Sequence, residues 1–298
     1  MVKLTGVTKK FGDFTALDNI DLVIPKGTSF GLLGSNGAGK STILRLLSGI
    51  YHAESGSVSI DGQEVFDNVD IKSKVFFIND ETVQFGSFTV KQLKNYYKGF
   101  YPSFSDEVFG SLLETVKLPE NKNIDRFSKG MKRQAIVITG LASGADYLLL
   151  DEAFDGLDPT MRIIVKRMLV DAMLDRKLTT IISSHNLKEI NEVCDSVALL
   201  HQGKILFNRD LDSIKGNIHK VQAAFDKEYS REDFEKYDIL HYERSQSIHY
   251  IIMKGSEQEI REKFADKKPI VFDLIPLTLE EIFIYEMEGM GYDAGQLD

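Results

Sequence analysis

The stretch GSNGAGKST, Gly34–Thr42, fits the pattern G-x-x-x-x-G-K-[ST] at every constrained position. It follows the apolar run TSFGLLGS and opens GKSTILRLLSGI, a helical pattern closed by Gly49. That strand–loop–helix setting separates a P-loop from a chance glycine-rich turn. Its glycines let the backbone curl so that successive N–H groups across Gly34, Ser35, Asn36, Gly37, Ala38 and Gly39 point inward. The result is an anion nest at a helix N-terminus. In such a loop Lys40 reaches the β- and γ-phosphates of a nucleotide, and the Ser41 hydroxyl, next to Thr42, is placed to ligate Mg²⁺.

The rest of the chain supplies what this loop needs. Residues 1–27 alternate polar and apolar, which predicts antiparallel strands, and GSVSIDGQEV predicts a hairpin through Asp61-Gly62. From about 86 to 145 the pattern is helical. Thr89 and Gln92 form a capping box, and Val108, Phe109, Leu112, Leu113 and Val116 fall on one helix face. DYLLLDE and TTIISSH are continuous apolar runs, as in strands buried on both faces of a parallel sheet. Between them lies a helix with Pro159 in its first turn and Asp158 as its cap. SVALLHQGKILF predicts a closing hairpin. Beyond it, SIHYIIMKGS reads as a strand and TLEEIFIYEM opens with a second capping box, Thr278 and Glu281. The fold class is α/β. The expected division is 1–207 and 208–298, the second a small α+β domain.

YLLLDE ends in two acids where a buried strand emerges. Beside a P-loop, Asp151 suits Mg²⁺ and Glu152 suits a general base for the attacking water. Composition limits the alternatives. The net charge of −9 among 298 residues, with a pI near 5.3, argues against a nucleic-acid binder, which needs a basic face. The single cysteine, Cys194, leaves no intramolecular disulfide and points to the cytoplasm. No apolar run approaches the roughly 18 residues that span a bilayer, and the N-terminus lacks a signal-peptide core. A membrane role must therefore come through a partner.

Four further stretches carry a resemblance. DRFSKGMKRQ precedes the acidic strand, FDGLDP follows it, IISSHNLKEI ends the next strand, and Phe11 stands in KKFG upstream of the P-loop. In this order they resemble an ATP-binding cassette (ABC) ATPase, the nucleotide-binding subunit of an ABC transporter. The resemblance spans about residues 1–207 and implies a P-loop ABC ATPase core with an antiparallel β subdomain and a helical subdomain. The C-terminal piece resembles the accessory or regulatory domain of single-cassette exporter ATPases. Carried over by position, Phe11 resembles the adenine-stacking aromatic and His185 the switch histidine of the γ-phosphate. The other five histidines (His52, His201, His219, His241 and His249) read as surface or core residues. Ser128 and Gly130 resemble the LSGGQ signature, here with Lys129 and Met131 in place of glycine and glutamine. Ser128 is also an N-cap on residue grounds, and the variant signature is similar to that of bacterial exporters.

The resemblance implies ATP and Mg²⁺ as ligands, and a second ABC cassette as partner. A homodimer is the simplest form, a heterodimer the alternative. It further implies separate transmembrane permease subunits and a peripheral position on the inner face of the cell membrane. Cargo is not legible in the chain. One position departs from the family pattern. Where the strand VFFIND should end in a Mg²⁺-ligating glutamine, this chain has Asp80, followed by Glu81, with Gln84 four residues later. Asp80 is shorter and charged, so it helps only with Mg²⁺ between it and the triphosphate.

Overall fold

Alternating burial builds the first sheet. In the computed structural model, which describes residues 1–79 and 87–289, β1 (Val2–Phe11) pairs antiparallel with β2 (Phe14–Ile24). Val2, Leu4, Leu22 and Ile24 are among the side chains these strands send into the core. β3 (Ser29–Leu33) is short and wholly buried, and it leads through the P-loop into α1 (Lys40–Leu47). β4 (Ser55–Ile60) and β5 (Gln63–Glu64) then complete a sheet of order β2-β1-β4-β5. Their two-residue turn has Asp61 and Gly62 both at positive φ, 51° and 78°, the backbone that suits the twist of a tight hairpin.

α2 (Val69–Lys72) and β6 (Val75–Ile78) precede three helices, α3 (Val90–Lys98), α4 (Asp106–Val116) and α5 (Lys129–Ala142). The Thr89–Gln92 box is reciprocal: Gln92 N–H donates to Thr89 Oγ1 at 3.2 Å, and Thr89 N–H to Gln92 Oε1 at 2.8 Å. The expected apolar face of α4 divides in two. Phe109 and Val116 are buried, but Val108 is 43% exposed. It lines, with Leu112, Leu141, Ile164 and Met168, an open cleft of about 830 Å³ over α5 and the following helix. Helical periodicity marks a direction, and only the neighbouring helices decide how much of it is covered.

β7 (Tyr147–Asp151), α6 (Pro159–Arg176), β8 (Thr179–Ser184), α7 (Leu187–Val193), β9 (Ser196–His201) and β10 (Lys204–Asp210) finish the α/β core. The sheet order is β10-β9-β3-β8-β7-β6. β9, β3, β8, β7 and β6 run parallel. Every residue of β3, β7 and β8 is buried, which explains the apolar stretches at their centres. In an open parallel sheet, ligands bind beyond the carboxyl ends of the strands. The loops after β3, β7 and β8 carry GSNGAGKST, Glu152 and His185.

The chain divides into two compact units, Met1–Asn208 and Arg209–Asp298. The second begins with α8 (Leu211–Gly216) and β11 (Ile218–Ala224). β12 (Ile239–Ser245), β13 (Ile248–Lys254), α9 (Glu257–Ala265), β14 (Val271–Ile275) and α10 (Leu279–Gly289) follow. Its sheet is antiparallel, ordered β12-β13-β11-β14. Phe225, Phe234, Phe264, Val221, Ile251 and Met253 build a core of its own. The Thr278–Glu281 box caps α10, with Glu281 N–H donating to Thr278 Oγ1 at 3.3 Å. Among the described residues no helix is long and apolar enough to cross a membrane.

Candidate functional site

The P-loop is held from behind. Gly203 N–H donates to Ala38 O at 3.1 Å, and Asp18 N–H donates to Gly203 O at 2.9 Å. Gly39 has φ +111°, and a Cβ there would stand 2.9 Å from Ala16 O. Only glycine lets the loop lie so close to β2 while turning into α1. Asn36 and Gly37 are exposed and Ser35 is half-buried, while Ala38, Gly39 and Lys40 are buried. Ser41 and Thr42, at the start of α1, are half-buried.

Lys40 is 5% exposed. Its ammonium donates to Gly34 O at 2.7 Å and Ser35 O at 3.1 Å, and lies 3.6 Å from Glu152 Oε1. Burial drives Lys40 below the ordinary lysine range, while Glu152 and Asp151 pull against that shift. A buried cation pressed against backbone oxygens and one carboxylate is poised for a stronger anionic partner.

Asp151 ends β7 and is fully buried. Its Oδ1 accepts hydrogen bonds from the Ser41 hydroxyl at 3.0 Å and the Ser183 hydroxyl at 2.5 Å. Its Oδ2 is buried with no hydrogen-bond partner. An orphaned carboxylate oxygen beside a serine hydroxyl suits a hard divalent cation or a water on it. Among the described residues no group of three or more His, Cys, Asp or Glu could form a metal cage. Mg²⁺ takes one or two protein carboxylates and leaves the remaining positions to phosphates and water, a demand that Asp151 and Ser41 suit. Asp80, Glu81 and Gln84 lie outside the described residues.

Glu152 has φ 46°, a left-handed conformation that costs a non-glycine residue roughly 1–2 kcal/mol. Its Oε2 lies 3.1 Å from His185 Nδ1, so a carboxylate and an imidazole are coupled at the mouth of the site, with Lys40 on the other oxygen. Strain at a residue facing a phosphate loop is the usual mark of a working group.

Phe11 ends β1, 44% exposed, edge-on to Tyr51 with ring centroids 5.3 Å apart. Lys9 lies over both rings. Ser128 caps α5 by accepting the Met131 N–H at 3.2 Å. A Cβ on Gly130 would stand 2.9 Å from Gly156 O, so the α5 start packs directly on the FDGLDP loop. Lys129 reaches to 4.0 Å from Asp155. Three further polar groups were not singled out by the sequence. Ser183 joins Asp151 to the Glu152 amide. Ser184 donates to Glu189 Oε2 at 2.7 Å, and Arg162 lies 3.2 Å from Glu189 Oε1. The one legible signal was the pair of serines directly before His185 in a buried strand.

Known proteins share the family and the fold. The family model described as "ABC transporter" matches residues 17–155. The ABC transporter ATP-binding protein YtrB of Bacillus subtilis is 30% identical over 289 residues, 97% of this chain and 99% of YtrB. The bacitracin transport ATP-binding protein BcrA of Bacillus licheniformis is 30% identical over 74% of this chain and 73% of its own. A solved dimer of the ATP-binding cassette MJ0796, in a post-hydrolysis state with ADP and Pi, superposes with a TM-score of 0.62 at 22% identity. That match covers 71% of this chain and 99% of the cassette, and it shows the shared fold. The chain is thus a member of the ABC transporter ATP-binding proteins, an ATP-binding ATPase subunit built on the ABC cassette fold.

Proposed function

We propose that this subunit powers an exporter, by ATP-driven closure of two cassettes coupled to separate transmembrane permease subunits. The observation that carries the reading is the joint placement of Lys40, Glu152 and His185 around the mouth of a P-loop whose Ser41 hydroxyl is bonded to Asp151. The P-loop amides and Lys40 hold the β- and γ-phosphates. Phe11 stacks on adenine. Glu152 accepts a proton from the attacking water while His185 fixes the carboxylate and faces the γ-phosphate. Ser41 and Asp151 would hold Mg²⁺, with Asp80 a further candidate, and the ion would neutralise charge on the phosphates.

Ser128 and Gly130 of a second copy close over the nucleotide, as a helix N-terminus attracts phosphate. MJ0796 is dimeric in its solved form, which supports a two-cassette assembly, and the homodimer is the form we favour. BcrA is named for bacitracin transport, which supports a transport role, and the Ser-Lys-Gly-Met signature leans towards export. The subunit would sit on the inner face of the cell membrane through its permease. In this reading residues 1–207 are the cassette, with 86–145 its helical subdomain, and 208–298 an accessory domain that carries none of the site residues.

The test is Glu152→Gln. ATP binding is retained, turnover falls at least about a hundredfold, and ATP shifts the chain from monomer to dimer in size-exclusion chromatography. Unchanged turnover overturns the assignment.

A further inference from the structure

Strands buried on both faces are apolar because every side chain meets a helix or the neighbouring strand layer. β8 departs from that rule at both ends, with Thr179 and Thr180 first and Ser183 and Ser184 last, all fully buried. Ser184 is accounted for locally. It donates to Glu189 and accepts the Asn186 N–H at 2.9 Å, and so starts α7. Ser183 points to the other element. It stands opposite Asp151 in the β7–β8 register. Its Oγ donates to Asp151 Oδ1 at 2.5 Å and accepts the Glu152 N–H at 3.1 Å.

A hydroxyl has one donor and two acceptor positions, so a single Ser183 can serve both neighbours at once. The two bonds have different consequences. The first occupies Asp151 Oδ1 together with Ser41 and leaves Oδ2 as the carboxylate's bare oxygen. The second anchors the amide of a residue whose φ of 46° is unfavourable for glutamate. With that amide anchored, the Glu152 carboxylate sits between Lys40 and His185.

We infer that Ser183 is a positioning residue for ATP hydrolysis, its hydroxyl clamping the Asp151 carboxylate and the Glu152 amide in one fixed relation. The inference rests on the reading of Glu152 as the base and Asp151 as the metal-side acid. Without the hydroxyl, Glu152 is free to relax from its left-handed conformation and Asp151 to rotate. Chemistry then suffers while the P-loop amides and Lys40 still bind nucleotide.

The experiment compares Ser183→Ala, Ser183→Thr and Glu152→Gln in the full chain, with ATP as probe. In Ser183→Ala, kcat falls about ten- to a hundredfold and the Mg²⁺ concentration for half-maximal turnover rises about fivefold or more. ATP binding in EDTA stays within about twofold, which also reports that the loop is folded. Ser183→Thr keeps the hydroxyl and restores kcat to within about threefold of the parent. An alanine variant with parental kcat, or a threonine variant as impaired as the alanine, overturns the inference. Should alanine fail to fold, Ser183→Cys replaces it, with a weaker donor and an intermediate kcat expected; parental kcat there overturns it equally. Glu152→Gln separates the two levels. If it retains turnover, the base assignment falls and this inference with it. If it is inactive while Ser183→Ala is fully active, the inference alone fails.

Discussion

The two units bury ionisable groups in opposite ways. In the cassette, Asp151 keeps a buried oxygen without a partner, Lys40 leans on backbone carbonyls, and Glu152 holds a left-handed φ. In the C-terminal unit the buried Glu286 has two cations, with Arg209 Nη1 at 3.1 Å and Lys254 Nζ at 3.3 Å. Buried His249 lies 2.9 Å from the Tyr242 hydroxyl, among Phe225 and Phe234. Lys267 rests over Tyr229 and Phe234. A fold can leave polar groups under-satisfied only where something else will complete them. The cassette is arranged for a ligand, whereas among the described residues of the C-terminal unit every buried side-chain polar atom has a partner.

Four substitutions test that contrast, the largest effect first. Glu152→Gly removes both the proposed base and the backbone strain. Turnover should drop at least about a hundredfold, while the melting temperature holds or rises, by up to about 1 kcal/mol in stability, since glycine tolerates positive φ. A marked loss of stability would mean that Glu152 is structural. Phe264→Ala empties the aromatic core of the second unit and should cost about 3–5 kcal/mol in urea unfolding, with ATP binding to the cassette unchanged. Glu286→Ala should cost about 1–3 kcal/mol, because two cations lose their buried partner but both remain part-exposed and regain water. An unaltered urea midpoint would make that ion group no more than surface decoration.

The smallest effect is a pH dependence. Burial holds the His249 imidazole below its ordinary 6.5, and Arg244 adds to that. The unfolded chain therefore takes up this proton first. Stability of the unit is full above pH 6.5, declines as pH falls below it, and levels off beneath the folded value. Urea midpoints at about pH 7.5 and about pH 5.5 should differ in that sense, and His249→Gln should flatten the difference. An equal slope in the variant assigns the dependence to other groups.

Much of the site was readable because its chemistry is local in sequence. Gly34–Thr42 is a contiguous loop, and the caps at Thr89, Ser128, Asp158 and Thr278 each bond within three residues. The α/β class followed from the apolar runs of the buried strands. What escaped was non-local. Val108 shared the expected face of α4 yet opens on a cleft, because the neighbouring helices cover Phe109 and Val116 instead. Ser183 could be seen as an oddity in TIISSH but not as a partner of Asp151, which lies 32 residues earlier.

By itself the sequence determined the phosphate loop, the two acids at the end of β7, the histidine after β8 and the family they compose. Backbone geometry and hydrogen-bond reach act over a few residues, so spelling alone conveys them. Only the tertiary structure decided that β8 lies beside β7. That neighbourhood sets one serine between a carboxylate and an amide, leaves Asp151 Oδ2 bare, and turns Glu152 towards both Lys40 and His185. Strand order in a parallel sheet is settled by packing across the whole core, and no short stretch of residues encodes it.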